Sequence, residues 1–170
     1  LVDDGLAECF DVDPVLAAAG TATGEQPQTA MRSGTVALAS AAATLGALTG
    51  DQELRTAAAR LVADRARTGT ERPLGHADAL GVALALQRPS REIVVVTSST
   101  DDPMQAVAHR ARRPGTVVAT TTPDQARDWA AAGFSLFEGR DVLDPAAYVC
   151  HDRACDLPSR SADALAGQIV

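Results

Sequence analysis

The pattern of apolar and polar positions divides the chain into three stretches. Residues 1–30 show no sustained period and include a Gly/Thr/Gln/Pro-rich segment, Thr21 to Thr29, that is typical of a loop. Residues 31–88 carry apolar residues at helical spacing, and residues 89–170 alternate β-branched runs with helical segments. We therefore predict an irregular lead-in, a helical hairpin segment and a small α/β unit.

The middle stretch predicts two helices joined by a short connection. The first runs over about residues 33–48 with Ser33 as its N-cap, and Thr49-Gly50-Asp51 is a stop followed by a new cap. The second runs over about residues 52–67, and so short a connection predicts an antiparallel hairpin. A third helix is predicted over about residues 75–87.

The last stretch is built around the run Arg91-Glu92-Ile93-Val94-Val95-Val96. β-branched side chains favour a pleated surface, and a continuous apolar run indicates a strand that is covered on both faces. We therefore predict a central strand in which Val95 is fully buried.

Further elements follow the central strand. Their predicted ranges are 100–112 for a helix, 116–121 for a strand, 125–132 for a helix, 135–137 and 147–150 for two strands, and 161–169 for a terminal helix capped by Ser161. Alternating strands and helices are typical of right-handed crossovers in a parallel sheet. The predicted fold class is α/β, with the helical hairpin segment followed by a small, mostly parallel β/α unit.

Polar residues follow the two best-defined strands and are candidates for a ligand site. Ligands of parallel sheets bind beyond the carboxyl ends of the strands, which here are occupied by Thr97, Ser98, Asp101 and Thr121. No glycine-rich phosphate loop is present at either place. Helix capping is the alternative role for these side chains.

Composition excludes several classes of partner. The net charge of −7, with no lysine, argues against nucleic acid and against an acidic membrane surface. Arg110, Arg112 and Arg113 form the one basic cluster, which we interpret as the solvated last turn of a helix. No apolar stretch approaches the ~20 residues of a membrane span. Three cysteines in 170 residues do not make a disulfide scaffold, so a cytoplasmic location is expected.

The most distinctive segment is Cys150-His151-Asp152-Arg153-Ala154-Cys155. Four intervening residues can curl so that the two sulfurs meet. Zinc needs four ligands in a closed site and no second cysteine pair exists nearby, so we predict no metal. Redox pairs usually have Cys-x-x-Cys spacing at the start of a helix. We interpret Cys150 and Cys155 as a structural pair, with a redox pair as the alternative.

This segment also resembles the C-terminal end of the YyaL-like proteins, which are thioredoxin-domain-containing proteins that include the spermatogenesis-associated protein 20 relatives. The resemblance covers nearly the whole chain from about residue 30. The matching residues are Ser33-Gly34-Thr35, Ala47-Leu48-Thr49-Gly50-Asp51, Arg91-Glu92-Ile93-Val94-Val95-Val96, Glu138-Gly139-Arg140, Ala147-Tyr148-Val149-Cys150, Cys155 and Pro158.

The resemblance implies a thioredoxin-like N-terminal domain joined to an α/α toroid, which is similar to that of N-acylglucosamine 2-epimerases and six-hairpin glycosidases. This chain would then hold the last toroid helices and a closing α/β segment. Its first residue is Leu1, and we expect a processed product or a piece of a longer protein. The family favours Ser-Gly-Asn-Ser where this chain has Ser33-Gly34-Thr35-Val36, so the motif's asparagine is missing.

Three hypotheses about function follow. The first is a C-terminal fragment of such a protein that has no activity of its own, no cofactor and no assigned catalytic residue. The second is a non-enzymatic packing or interaction module, and the third is a stand-alone small α/β enzyme, for which no nucleophile–base pair is evident. We expect the apolar residues of the 33–67 hairpin to be covered by the rest of a parent protein or by a second copy of the chain.

Overall fold

The computed structural model describes residues 33–111, 113–152 and 154–169. The irregular lead-in predicted over residues 1–30 lies outside this part of the chain. The described residues form two compact units.

The first unit comprises residues 33–45 and Gln52–Gln87, and the second comprises Gly46–Asp51 and the chain from Arg88 onward. The described residues contain six helices and four strands. The helices are α1 (Gly34–Thr49), α2 (Gln52–Glu71), α3 (Ala77–Leu86), α4 (Pro103–Ala108), α5 (Pro123–Ala131) and α6 (Ala162–Ile169). The strands are β1 (Arg91–Val96), β2 (Thr116–Thr121), β3 (Ala146–His151) and β4 (Ala154–Cys155), and 3₁₀ turns lie at Pro73–Gly75 and Ser135–Phe137.

The ends of the first two helices follow from their terminal residues. The Ser33 hydroxyl accepts a hydrogen bond from the Val36 N–H at 3.2 Å, and Gly50 after α1 has a φ of 76°. This confirms the predicted N-cap and the predicted stop. Helix α2 extends beyond the predicted end at Arg67, because the residues up to Glu71 continue the helix and only Pro73 ends it.

Small side chains dominate the core of the first unit. Its buried apolar residues are Val36, Ala39, Ala42, Ala58, Val62 and Ala79. Gly69 of α2 is also buried, and a Cβ placed there would lie 3.0 Å from both the His76 Cβ and the Leu80 Cγ. Alanine and glycine allow backbones to approach closely, but they remove little apolar surface from water.

The second unit contains a four-stranded sheet with the strand order β2-β1-β3-β4. Strand β1 pairs in parallel with β2 and antiparallel with β3, while the short β4 pairs antiparallel with β3. This mixed sheet with its helices confirms the α/β class. The β1–β2 pair is the parallel arrangement that the alternation of strands and helices predicts, and β3 runs opposite to β1.

The sheet is covered on both faces, as the central apolar run predicts. All six residues of β1 are buried, and Val95 is fully buried. One face packs in a first cluster, formed by Val94, Val96, Ala126, Leu136, Phe137, Ala146, Tyr148 and Cys150. The other face packs in a second cluster, formed by Ile93, Val95, Met104, Ala108, Ala147, Val149 and Leu165.

Two sequence-based predictions in this unit are wrong. Residues Ser135–Phe137 form a 3₁₀ turn and not a strand, because a single turn places both Leu136 and Phe137 in the first cluster. Helix α4 ends at Ala108 and not near Arg112. The backbone tightens there, since the N–H of Arg110 bonds to the carbonyl three residues earlier.

The terminal helix α6 begins as predicted, since the Ser161 hydroxyl accepts a hydrogen bond from the Ala164 N–H at 3.2 Å. Among the described helices, none combines the length and the apolar character needed to cross a bilayer.

Candidate functional site

The structure joins Cys150 and Cys155 through a disulfide across the β3–β4 hairpin, one residue pair away from its turn. The two residues are direct cross-strand partners, with their Cα atoms 3.9 Å apart. Asp152 begins the reversal between the strands and has a φ of 46°. Asp and Asn adopt this left-handed conformation more readily than most residues, which makes Asp152 suited to a tight hairpin turn.

Asp152 also anchors the hairpin to the start of β1. Its carboxylate accepts hydrogen bonds from the Ser90 N–H at 2.7 Å and from the Ser90 hydroxyl at 3.1 Å. The Asp152 N–H donates to the Ser90 carbonyl at 3.1 Å. Three hydrogen bonds between two residues therefore hold the disulfide hairpin in a defined position on the sheet.

A guanidinium group lies directly against the disulfide. Arg140 Nη2 is 2.7 Å from the Cys155 Sγ and 3.4 Å from the Cys150 Sγ. The guanidinium carbon lies 4.1 Å from the centre of the Tyr148 ring, a cation–π contact that holds the group over β3. Burial lowers the pKa of the Arg140 guanidinium, and the electrostatic interaction with Tyr148 acts in the opposite direction.

The two sulfurs differ in their access to solvent. Cys150 is fully buried in the first cluster, whereas Cys155 is exposed. A nearby cation stabilises a thiolate relative to a thiol, so Arg140 favours the products of disulfide reduction. Within the described residues, no group of three or more His, Cys, Asp or Glu side chains is arranged to hold a metal ion.

All four predicted strand-end residues make hydrogen bonds within the fold. Thr97 and Thr121 are brought together, since the Thr97 N–H donates to the Thr121 carbonyl at 2.9 Å. The N–H and the hydroxyl of Ser98 both donate to the Asp144 carboxylate, the first at 3.0 Å. Asp101 is exposed. The contacts of Ser98 tie the end of β1 to the loop before β3.

Helix capping uses the neighbouring residues at the same edge of the sheet. Asp102 accepts a hydrogen bond from the Met104 N–H at 2.8 Å and caps α4. Thr122 and Gln125 form a reciprocal capping box at the start of α5, with hydrogen bonds of 3.2 and 3.1 Å. Helix capping is thus the role of Asp102 and Thr122, the neighbours of the predicted Asp101 and Thr121.

Arg140 is the residue of this candidate site that the sequence did not identify by chemistry. It precedes the cysteines by ten and fifteen residues, and no spacing rule connects it with them. The only sequence signal was its presence in the Glu138-Gly139-Arg140 match to the YyaL-like proteins.

Comparisons of the chain with models of protein families, with curated proteins and with solved structures find no match. The resemblance to the YyaL-like proteins stays a prediction that rests on the matching residues.

Proposed function

We propose that this chain is the C-terminal part of a thioredoxin-domain-containing protein with an epimerase-like or glycosidase-like helical toroid, and that it serves there as a packing unit without activity of its own. The observation that carries the proposal is the exposure of the leucines in the first unit. Eight leucines occur in its described residues, and none of them is buried: Leu38, Leu45, Leu54, Leu61, Leu74, Leu80, Leu84 and Leu86.

The degree of exposure is large for helical residues. Leu45 in α1 and Leu84 in α3 are each 42% exposed. Removing apolar surface from water stabilises a protein by about 25 cal/mol per Å². A further layer of protein over these leucines would therefore stabilise the helices that carry them. Additional helical hairpins of the same polypeptide would supply that layer through residues 33–67, which is how hairpins of a toroid pack on their neighbours.

A non-enzymatic packing module in another kind of protein is the alternative with the same physical basis. A stand-alone small α/β enzyme is favoured by no geometry among the described residues. Ser98 is engaged by Asp144, and the hydroxyl of Thr121 donates to the Thr122 carbonyl at 3.1 Å.

The complete reading frame tests the family part of the proposal. We expect a thioredoxin domain and further helical hairpins to be encoded upstream of Leu1. A start codon directly before Leu1 would contradict the proposal and leave the packing module or the small enzyme.

Light scattering tests the packing part. We expect the 170-residue chain to self-associate as its concentration rises and to bind a dye that reports apolar surface. Leu45→Ser should weaken both effects. The matched control is Leu157→Ser, which changes a leucine that is 86% exposed in the second unit and should leave association unchanged. If the chain is a monomer at every concentration and binds no dye, the packing part of the proposal is contradicted.

A second candidate function, thiol–disulfide exchange, rests on the contact between Arg140 and the exposed sulfur of Cys155. A thiolate of a dithiol reductant would attack the Cys155 Sγ and form a mixed disulfide. The Cys150–Cys155 bond breaks, and its electron pair stays on Cys150 as a thiolate near Arg140. The second thiolate of the reductant then displaces Cys155 as a thiolate, so the reductant leaves as a disulfide.

Equilibration in dithiothreitol redox buffers, followed by alkylation and mass spectrometry, tests this candidate. Removing the cation should disfavour the reduced form, so we expect Arg140→Gln to lower the equilibrium constant for reduction by about tenfold. Arg160→Gln is the control, since Arg160 contacts the Pro145 carbonyl and not the sulfurs. Equal constants for Arg140→Gln and the control would contradict a role of Arg140 in exchange.

A further inference from the structure

Three arginines of the second unit line one cavity of about 640 Å³. We define it as the arginine cavity by Arg91, Arg110 and Arg113. The rest of its lining is apolar and comes from α4, α6 and the turn after α4: Val107, Ala111, Ala166 and Ile169. The cavity lies at the amino-terminal end of β1, opposite to the strand ends at which the sequence predicted a ligand site.

The sequence-based interpretation of this cluster was incomplete. Arg110 and Arg113 lie beyond the end of α4 at Ala108, so they do not form the last turn of a helix. The fold also adds Arg91, the first residue of β1, which is far from both in sequence.

The burial and the hydrogen bonding of Arg91 favour the binding of an anion. It is only 7% exposed, and its Nη2 donates one long hydrogen bond of 3.4 Å to the Gln168 carbonyl. Its Nε is buried and has no hydrogen-bond partner. Burial lowers the pKa of the Arg91 guanidinium, and the positive charge of Arg113 lowers it further. A buried donor without a partner is costly, and a bound anion would remove that cost.

A second buried polar atom without a partner lies beside Arg91. Thr116 is the partner of Arg91 in the parallel β1–β2 pair, so their side chains share one face of the sheet. The Thr116 Oγ1 is buried and forms no hydrogen bond. Two unsatisfied polar groups therefore occupy adjacent positions at the same end of the sheet.

Of the residues that the structure describes, none supplies a carboxylate that pairs with the three arginines. None of the cavity-lining residues is acidic, and in the part of the chain that the structure describes none of the three arginines forms an ion pair. Three positive charges thus line one cavity that has no acidic lining residue, in a chain whose net charge is −7.

We propose that the arginine cavity binds a small phosphate monoester, with its phosphate on Arg91, Arg110 and Arg113 and its apolar part against the aliphatic wall. A phosphate monoester carries nearly two negative charges at neutral pH and accepts the paired hydrogen bonds that guanidinium groups donate. The four apolar lining residues favour a ligand with an organic body over inorganic phosphate. This proposal concerns the second unit alone and does not depend on the proposed function.

Isothermal titration calorimetry of the 170-residue chain tests the proposal with three probes: phenyl phosphate, inorganic phosphate and benzoate. We expect phenyl phosphate to bind more tightly than inorganic phosphate, which lacks the apolar body, and than benzoate, which carries one charge. Arg110→Gln and Arg113→Gln should each weaken phenyl phosphate binding by about tenfold. The charge-matched control is Arg127→Gln, which removes a cation of α5 paired with Asp124 and Asp141 and should leave binding unchanged.

The variant Arg91→Gln extends the test to the buried group. Circular dichroism first checks that this variant folds. If it does not, the variants Arg110→Gln and Arg113→Gln alone test phosphate binding.

Absence of phenyl phosphate binding at millimolar concentration would overturn the proposal, as would equal weakening by Arg127→Gln. Benzoate binding as tight as that of phenyl phosphate would overturn the assignment to phosphate. Binding of a DNA oligonucleotide without binding of phenyl phosphate would overturn it in favour of a nucleic acid.

Discussion

The two units of this protein bury their apolar residues in opposite ways. In the helical unit, alanines and two valines fill the interior while every leucine among its described residues is at least partly exposed. In the α/β unit, the large side chains Ile93, Met104 and Leu165 are fully buried around β1. The α/β unit therefore has the core of a self-sufficient domain, and the helical unit resembles a layer that other helices cover.

The difference shows that an apolar sequence does not by itself make a core. Both units are rich in alanine, valine and leucine. The sheet offers two faces to be covered, and its helices and turns cover both. In the helical unit, alanines and Gly69 occupy most of the buried positions, and the leucines lie on partly exposed faces of the helices.

The largest expected effect comes from a charge placed in the better-packed unit. Val95→Asp would bury a carboxylate between Ile93 and Met104 of the second cluster, without a partner. The cost is several kcal/mol, which is comparable to the whole stability of a small domain. Thermal denaturation followed by circular dichroism should show loss of cooperative unfolding. Val142→Asp, at a position 70% exposed, is the control and should keep the wild-type Tm. Cooperative melting of Val95→Asp near the wild-type Tm would show that β1 is not packed on both faces.

The same substitution in both units tests the comparison directly. Leu165→Ala in α6 removes a fully buried side chain and should cost about 2–5 kcal/mol. Leu84→Ala in α3 removes a half-exposed one and should cost less than about 1 kcal/mol. Native-state hydrogen exchange reports the opening free energy of each unit separately. Equal losses at the two sites would remove the distinction between the units.

The disulfide should stabilise only the unit that contains it. The double variant Cys150→Ala with Cys155→Ala opens a very short loop and should cost about 2 kcal/mol, because the unfolded state regains the conformational entropy that the cross-link removes. Hydrogen exchange should become faster in β1 and β3 and stay unchanged in α2. Equal acceleration in α2 would indicate that the two units unfold together.

The smallest expected effect concerns two glycines of the helical unit. Gly81→Ala in α3 has no atom within 4 Å of the new Cβ and should stabilise by about 0.5–1 kcal/mol. Gly69→Ala in α2 brings the same helical preference but crowds Leu80, so it should give no such gain. Urea denaturation of both variants measures the difference. An equal gain at Gly69 would show that the approach of α2 and α3 can relax.

Local patterns predicted most of the backbone of the second unit. The ranges 91–96 and 116–121 coincide with β1 and β2, because β-branched runs bounded by polar residues favour strands and little else. Ser33 and Ser161 cap helices for an equally local reason, since a hydroxyl bonds to a backbone N–H three residues later.

These local patterns did not predict how segments distant in the chain pack against one another. The three apolar-rich residues 135–137 fit a strand or a turn equally well, and only the space beside the first cluster selected the turn. Nothing in the periodicity of residues 146–151 indicates that β3 runs antiparallel to β1.

The sequence by itself therefore determined the class of the fold, its principal strands, most helix ends and the pairing potential of Cys150 and Cys155. Only the tertiary structure placed Arg140 against the Cys155 sulfur and brought Arg91 to Arg113. The physical reason is the separation along the chain between the residues that interact. Backbone preferences, caps and burial periodicity act over a few residues, whereas a guanidinium meets its partner through the packing of strands and helices that are distant in the chain.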